Sequence, residues 1–230
     1  MKRRTNGEQE RRGKPAGIPL GRALIIRPGI ANDDLREMVA VASRVHGDGE
    51  LPTIPMLLSG SFTTVRGRPV DGFFRVVEAV DQSIAPASIH LRSEAHNLQF
   101  VALHEIGHIL DASGLPGTGY SSEADPALAG WQRAVVRSRA YRELEALALS
   151  RDPAVSGRAA VLLPNVELWA RSYAQFVIVR GGNEPLGASL DVFRRREPDD
   201  LSFPRQWDDD DYWAIESEID ELFRRLGWIA

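Results

Sequence analysis

Two histidines and one glutamate have the residue types and spacing of a metal site. They form the HExxH pattern His-Glu-Ile-Gly-His at positions 104–108. On an α-helix, residues four apart lie on the same face, so the imidazoles of His104 and His108 could bind one zinc ion. Glu105, between them, could act as the general base on a metal-activated water. The pattern therefore indicates metal-assisted hydrolysis.

The surrounding residues predict that this segment is helical. Apolar side chains recur at three- and four-residue spacing through the pattern, and the helix is expected to begin near Ser93 and to end at Ser113–Gly114. Pro116 just beyond is typical of a helix stop. Gly107 costs a helix interior about 1 kcal/mol relative to alanine, which indicates close backbone packing against a neighbouring element near the metal.

A catalytic zinc site needs three protein ligands and one open position. A third histidine six residues after His108 is excluded, because that position is Gly114. Glu167 is the main candidate. It lies in the first turn of a predicted, largely apolar helix at 164–180, where an inward-facing carboxylate needs a partner such as a metal ion.

Other carboxylates remain open as alternatives. Asp111 shares the helix face of the two histidines, but it lies beyond the midpoint between them. Its carboxylate is expected to hydrogen-bond a ligand histidine or a loop, which would support the metal from the second shell. Glu123 and Asp125, in the segment after the helix, are weaker candidates for the third ligand.

The elements that must position these groups indicate an α+β fold. A small mixed sheet should come before the active-site helix, and a helical C-terminal lobe should follow it. The strand at 88–92 is the candidate for a free edge beside the metal helix, and the sequence alone does not order the strands within the sheet. The predicted strands are 23–27, 53–58, 73–77 and 88–92, and the other predicted helices are 33–45, 126–150 with a break, 189–194 and 208–226.

Composition limits the classes of protein that remain. Residues 1–17 are basic and almost without apolar side chains, which predicts a disordered tail, and 18–230 should form a single domain. The chain has no cysteine and a net charge of −4, so thiol ligands are excluded and the folded domain is not expected to bind nucleic acid. No signal peptide or membrane span is evident, so a cytoplasmic location is expected. The oligomeric state is not determined.

The two segments together resemble a known family, the gluzincin metallopeptidases. The residues that carry the resemblance are the HExGHxxD segment at 104–111 and, some sixty residues later, Glu-Leu-Trp-Ala-Arg-Ser-Tyr-Ala-Gln-Phe at 167–176. Within that family they are most similar to lethal-factor-type toxin catalytic domains and to peptidase-like domains of phages and mobile elements. The resemblance covers mainly 93–180. It implies a zincin-like fold, zinc bound by His104, His108 and Glu167, and Glu105 as general base.

The chain departs from the toxin pattern at two positions. The tyrosine that those toxins have seven residues before the ligand glutamate is Ala160 here, and their acidic residue four after it is Arg171. Oxyanion stabilisation must therefore come from elsewhere. Tyr120 is the main candidate for the residue that stabilises the oxyanion, and Tyr141 and Arg171 are the alternatives.

These observations predict a zinc-dependent metalloendopeptidase that hydrolyses a peptide or protein substrate. Two alternatives remain open. One is a phage or mobile-element structural or interaction protein with a degenerate zincin fold, which the missing tyrosine and the basic tail favour. The other is a regulatory peptidase that cuts one specific partner, such as a repressor.

Overall fold

The structure is a computed structural model. It describes residues 33–46, 56–58, 64–65, 68–69, 71–78, 84–92, 97–115, 119–194 and 204–229. The predicted tail at 1–17 and the predicted strand at 23–27 lie outside the described residues. No helix within these ranges is long and apolar enough to cross a membrane.

Helices make up most of the described chain, and a small sheet precedes most of them, so the fold is α+β. The strands are β1 (Met56–Leu58), β2 (Thr64–Val65), β3 (Arg68–Pro69), β4 (Gly72–Glu78) and β5 (Ile84–Leu91). The helices are α1 (Asp33–His46), α2 (Leu98–Ile109), α3 (Ser121–Ala124), α4 (Ala129–Arg137), α5 (Arg139–Ala148), α6 (Pro153–Leu162), α7 (Asn165–Gly181), α8 (Glu184–Arg194) and α9 (Asp209–Leu226). The predicted break in the helix at 126–150 is Ser138, which has extended backbone and caps α5.

The strand order corrects one expectation from the sequence. Three strands form a mixed sheet in the order β1-β5-β4, with β5 parallel to β1 and antiparallel to β4. The segment 88–92, the candidate for a free edge, belongs mostly to β5, and β5 is the central strand. Among the described strands, β4 is the edge strand that contacts α2. The sequence could not show this, because the spacing of β4 and β5 along the chain does not determine which of them lies at the edge of the sheet.

Helix α2, which carries the HExxH pattern, begins later than predicted. Its N-cap, Asn97, has φ 57° and ψ 46°, a left-handed conformation that a right-handed helix cannot include. The expected start near Ser93 is therefore wrong, and the helix starts at Leu98. It continues beyond Ile109 into a π-helical turn, Leu110–Gly114, close to the predicted end.

Helix α2 packs closely against α7, and Gly107 makes this possible. A Cβ added at Gly107 would lie 2.8 Å from Ala170 Cα and 3.1 Å from the Ala170 carbonyl oxygen. The indole N–H of Trp169 donates to the Gly107 carbonyl oxygen at 3.1 Å. The close packing predicted from this glycine is confirmed, and the neighbouring element is the helix that carries Glu167.

Replacement of Gly107 by alanine should therefore destabilise the fold. The added methyl meets backbone rather than a movable side chain, so we expect a loss of about 1–3 kcal/mol in the free energy of unfolding. Gly157→Ala on α6 is the matched control, because its added Cβ meets nothing within 4 Å among the described residues beyond its chain neighbours and its own helix backbone. That change should stabilise the protein by about 0.4–1 kcal/mol. Urea unfolding measures both, and equal effects of the two substitutions would refute the contact.

His46 joins three distant parts of the core. It is 1% exposed, donates from Nδ1 to the carbonyl oxygen of Trp228 at 3.2 Å, and accepts at Nε2 from the Tyr173 hydroxyl at 3.0 Å. These bonds connect α1 with α7 and with the chain after α9. Burial lowers the pKa of His46 to about 4, although the bond to Trp228 opposes the shift.

Acid should weaken the protein through His46. The folded state protonates His46 less readily than the unfolded chain does. The contribution of neutral His46 to the free energy of unfolding is therefore fully present above pH 6.5 and is lost as the pH falls toward 4. Between pH 7 and 5 the loss from this one residue is about 2 kcal/mol. His46→Gln keeps a donor and an acceptor but cannot titrate. Between pH 7 and 5 the free energy of unfolding of His46→Gln should therefore fall by about 2 kcal/mol less than that of the wild type. Equal pH dependence of the two unfolding free energies would contradict the role given to His46.

Candidate metal centre

Three side chains from two helices meet at one point. His104 and His108 lie one turn apart on α2, and Glu167 lies in the first turn of α7. The two imidazole Nε2 atoms are 3.0 Å apart, and the Glu167 carboxylate oxygens lie 3.3 Å from His104 Nε2 and 3.4 Å from His108 Nε2. The structure thus brings together the three ligands predicted from the sequence, and this group could bind a metal ion.

The spacing of these atoms suits a tetrahedral metal ion. Ligands about 2.0–2.1 Å from such an ion lie roughly 3.3–3.4 Å from one another. The observed separations of 3.0 to 3.4 Å are close to that value. Two imidazoles and one carboxylate are also a donor set found in catalytic metal sites, which keep a further position open.

The contact between α2 and α7 explains why the ligands meet. Gly107 lies three residues after His104, and Ala170 lies three residues after Glu167. The two helix backbones are therefore in close contact about one turn beyond each of these side chains. The missing Cβ at Gly107 sets the distance between the helices, and this distance sets the separation of the carboxylate from the imidazoles.

The charges of the three groups support one another. Burial alone would raise the pKa of Glu167, but hydrogen bonds and charge attraction from His104 and His108 outweigh it and hold that pKa well below its usual range. Burial alone would lower the pKa of His108. The bond to Glu167 and the nearby carboxylates outweigh this effect, so the pKa of His108 is raised. A positive charge is thus favoured between these side chains, and a metal cation would supply it.

Glu105 lies beside the ligands in an open cleft of about 390 Å³. It is 6% exposed, and the backbone N–H of Phe74 on β4 donates to its carboxylate. Burial raises the pKa of Glu105, and the nearby histidines oppose the shift. A Cβ at Gly72 would lie 3.2 Å from both Cγ and Oε1 of Glu105, so that glycine leaves room for the carboxylate.

Asp111 forms its hydrogen bonds with the start of helix α3. It is fully buried, and its carboxylate accepts from the backbone N–H of Ser122 at 2.6 Å and from the Ser122 hydroxyl at 2.5 Å. Burial raises its pKa to about 6, against the effect of these two bonds. The sequence predicted a ligand histidine or a loop as the bonding partner, and the observed partner, Ser122, lies in the short helix α3. The Nδ1 atom of His108 is buried and has no hydrogen-bond partner among the described residues.

The three candidates for oxyanion stabilisation lie at different places. Tyr120 is half-buried and packs edge-to-face on Phe74, whose ring stacks on His108 at 5.1 Å. Neither Tyr120 nor Tyr141 lines the cleft among the residues that the structure describes. Arg171 is 3% exposed, and its guanidinium donates to the carbonyl oxygens of Leu162, Pro204 and Arg205. Arg171 therefore fixes local backbone, and the role of Tyr120 stays a prediction.

The sequence did not predict which residues line the cavities beside His104, His108 and Glu167. Gly72 and Phe74 on β4 form one wall of the cleft. Phe193 on α8 and Gln206, before α9, line a second cavity, which His104 also lines. Apolar periodicity identified some of these elements, but it gave no signal for which of their residues face the site.

No protein-family model, curated protein or solved structure matches this chain. Support for a function therefore comes from the chemistry of the side chains that meet at the site.

Proposed function

We propose that this protein is a zinc-dependent metalloendopeptidase with a zincin-like, gluzincin-type site. The observation that carries the proposal is one cleft that contains three groups able to bind a metal ion and, beside them, the buried carboxylate of Glu105. The ligands would be His104, His108 and Glu167. This combination supports hydrolysis better than a purely structural metal site, because structural zinc sites are closed by a fourth protein ligand.

Zinc is the metal that the donor set favours, since two imidazoles and a carboxylate suit it well. When bound, zinc would supply Lewis acidity, which lowers the pKa of water toward 7 and polarises a carbonyl group. Glu167 and His104 would hold the ion from two helices whose separation is fixed by Gly107. The preference for positive charge between these side chains supports the binding of a cation.

Glu105 would carry the proton during the reaction. Its raised pKa makes it a stronger base than an ordinary carboxylate. The N–H of Phe74 holds the carboxylate in place, so one oxygen can remain directed at the attacking water. Glu105 takes a proton from that water as it attacks the peptide carbonyl carbon, and then passes the proton to the leaving amine.

The edge strand β4 supports a peptide as the substrate. The Asp71 carbonyl oxygen accepts from the N–H of Arg92 at 2.9 Å, which directs Asp71 and its alternate neighbours along the strand toward β5. The backbone groups of Gly72 and the carbonyl oxygen of Phe74 therefore face the edge beside the cleft, whereas the Phe74 N–H at that edge is held by Glu105. An extended peptide could pair there as an additional strand and bring a peptide bond toward the site.

A substrate screen tests this proposal directly. Zinc-loaded protein is incubated with a mixed peptide library, and mass spectrometry identifies the new termini that form. Cleavage that depends on added zinc and stops with a chelator supports the proposal. Uncut libraries in the presence of one bound zinc per chain would count against a peptidase with broad specificity.

A further inference from the structure

The imidazole of His108 lacks the hydrogen bond that usually orients a metal-binding histidine. Such a histidine binds the metal through one ring nitrogen and donates from the other to a carboxylate, a backbone carbonyl or water, which fixes the plane of the ring. His108 Nε2 lies 3.0 Å from His104 Nε2 and 3.4 Å from Glu167 Oε1. Its Nδ1 atom is buried and has no hydrogen-bond partner in the part of the chain that the structure describes. Another contact must therefore hold the plane of this ring.

The carboxylate of Asp111, three residues after His108, does not provide the missing bond. One of its oxygens accepts from the Ser122 N–H at 2.6 Å, and the other accepts from the Ser122 hydroxyl at 2.5 Å. Asp111 lies in the π-helical turn Leu110–Gly114, which follows α2. It therefore connects this turn with α3 and leaves His108 Nδ1 unpaired.

The side chain of Phe74 packs directly on the imidazole of His108. The two ring centroids are 5.1 Å apart, and the planes are inclined by only 23°. Aromatic rings at such separations attract each other beyond the effect of burial alone. Phe74 lies on β4 opposite Ile89 of β5, so pairing within the sheet fixes its backbone. The plane of the His108 ring is thus supported by a side chain of the sheet.

The backbone of the same residue contacts Glu105. The Phe74 N–H donates to the Glu105 carboxylate, and a Cβ at Gly72 would lie 3.2 Å from Glu105 Oε1. Phe74 therefore contacts one candidate ligand through its ring and the proposed general base through its backbone. Any shift of β4 at this position would move both groups together.

We propose that Phe74 is a positioning residue of the metal centre, and that its ring holds the His108 imidazole in the orientation that zinc requires, in place of the missing hydrogen bond. The inference rests on the function proposed above, and it specifies how one of the proposed ligands is supported. An aliphatic side chain at position 74 would fill space but would offer no planar face to the imidazole. The ring of His108 would then adopt several orientations, of which fewer suit the metal.

Zinc affinity tests this role without requiring turnover. Competition with a chromogenic chelator gives the dissociation constant of zinc for the wild type and each variant. Phe74→Leu, which keeps an apolar side chain and the backbone N–H, should bind zinc about tenfold more weakly, as on loss of an outer-shell partner. Phe74→Tyr retains the ring and should bind zinc within about twofold of the wild type.

The neighbouring Phe73 provides the matched control. Its ring stacks on His90, with centroids 4.6 Å apart and planes inclined by 5°, and His90 is not in the group able to bind a metal. Phe73→Leu therefore removes a similar aromatic pair from the same strand. Its zinc affinity should stay within about twofold of the wild type. Equal losses of affinity in Phe73→Leu and Phe74→Leu would show a general loosening of β4 and would overturn the proposal.

The other outcomes separate this role from the peptidase function. Unchanged zinc affinity in Phe74→Leu, or equally weak binding in Phe74→Tyr, would overturn the role of the ring even if peptides are cleaved. If affinity depends on the ring but no peptide is hydrolysed, the role of Phe74 stands and the peptidase function fails. A wild type that binds no zinc would overturn both.

A measurement on the wild type decides the question if Phe74→Leu does not fold. In the zinc-loaded protein, nuclear Overhauser effects should connect the ring protons of Phe74 with those of His108, because the stack must persist when the metal is bound. Their presence supports the proposal. Their absence, with zinc bound at one per chain, would mean that the imidazole is held by another contact.

Discussion

Glu105→Gln is expected to bind zinc as the wild type does and to lose nearly all hydrolytic activity. Glutamine has the shape of glutamate, and its carbonyl oxygen can still accept from the Phe74 N–H that holds Glu105. It cannot take a proton from water. General base catalysis contributes about 10²–10⁴-fold, so kcat/KM should fall by at least the lower figure, with metal content unchanged.

The matched control for that variant is Glu221→Gln on α9. Glu221 is exposed and lies outside the residues that line the cleft, so the same chemical change should leave kcat/KM and zinc content as they are. Metal analysis and initial rates on a cleaved peptide are measured for all three proteins. Full turnover by Glu105→Gln would exclude the mechanism. Loss of zinc would show instead that Glu105 supports the metal site.

Local sequence geometry predicted which three side chains meet, namely His104, His108 and Glu167. The spacing of His104 and His108 depends only on the helix period, so an i and i+4 pair is placed as soon as the segment is known to be helical. Gly107 indicated the close approach of another helix for an equally local reason. Glu167 could be nominated because a carboxylate in an apolar helix needs a partner.

Long-range contacts could not be predicted in the same way. The order of β4 and β5 in the sheet depends on how the strands pack against α2. The start of α2 depends on the left-handed conformation of Asn97, which asparagine adopts more readily than most residues but which its presence does not require. Gln206 is far in sequence from every ligand, and Arg171 holds the adjacent Pro204 and Arg205 through backbone carbonyl oxygens. No pattern along the chain indicates such contacts.

Glu167→Ala is expected to abolish stoichiometric zinc binding. The variant leaves only His104 and His108 on α2, which are two of the three proposed ligands. Loss of an outer-shell partner already weakens metal binding by about 10–100-fold, so removal of a direct ligand should cost more than that. A second effect follows by mass action. Zinc should stabilise the wild type against unfolding, by about 2.7 kcal/mol at one hundred times its dissociation constant, and should stabilise the variant far less.

Glu184→Ala provides the control that separates metal binding from a helix-dipole effect. Glu184 is an exposed acidic residue in the first turn of α8, as Glu167 is in the first turn of α7, and it is not among the group able to bind a metal. Both variants lose the same favourable interaction with a helix N-terminus, worth about 0.3–1 kcal/mol. Only Glu167→Ala should lose zinc, measured by metal analysis, and the zinc-dependent rise in melting temperature. Zinc retained at one per chain in Glu167→Ala would mean that the third ligand is another residue. Equal loss of zinc in the two variants would mean that removal of a negative charge at a helix N-terminus, and not removal of a metal ligand, accounts for the loss.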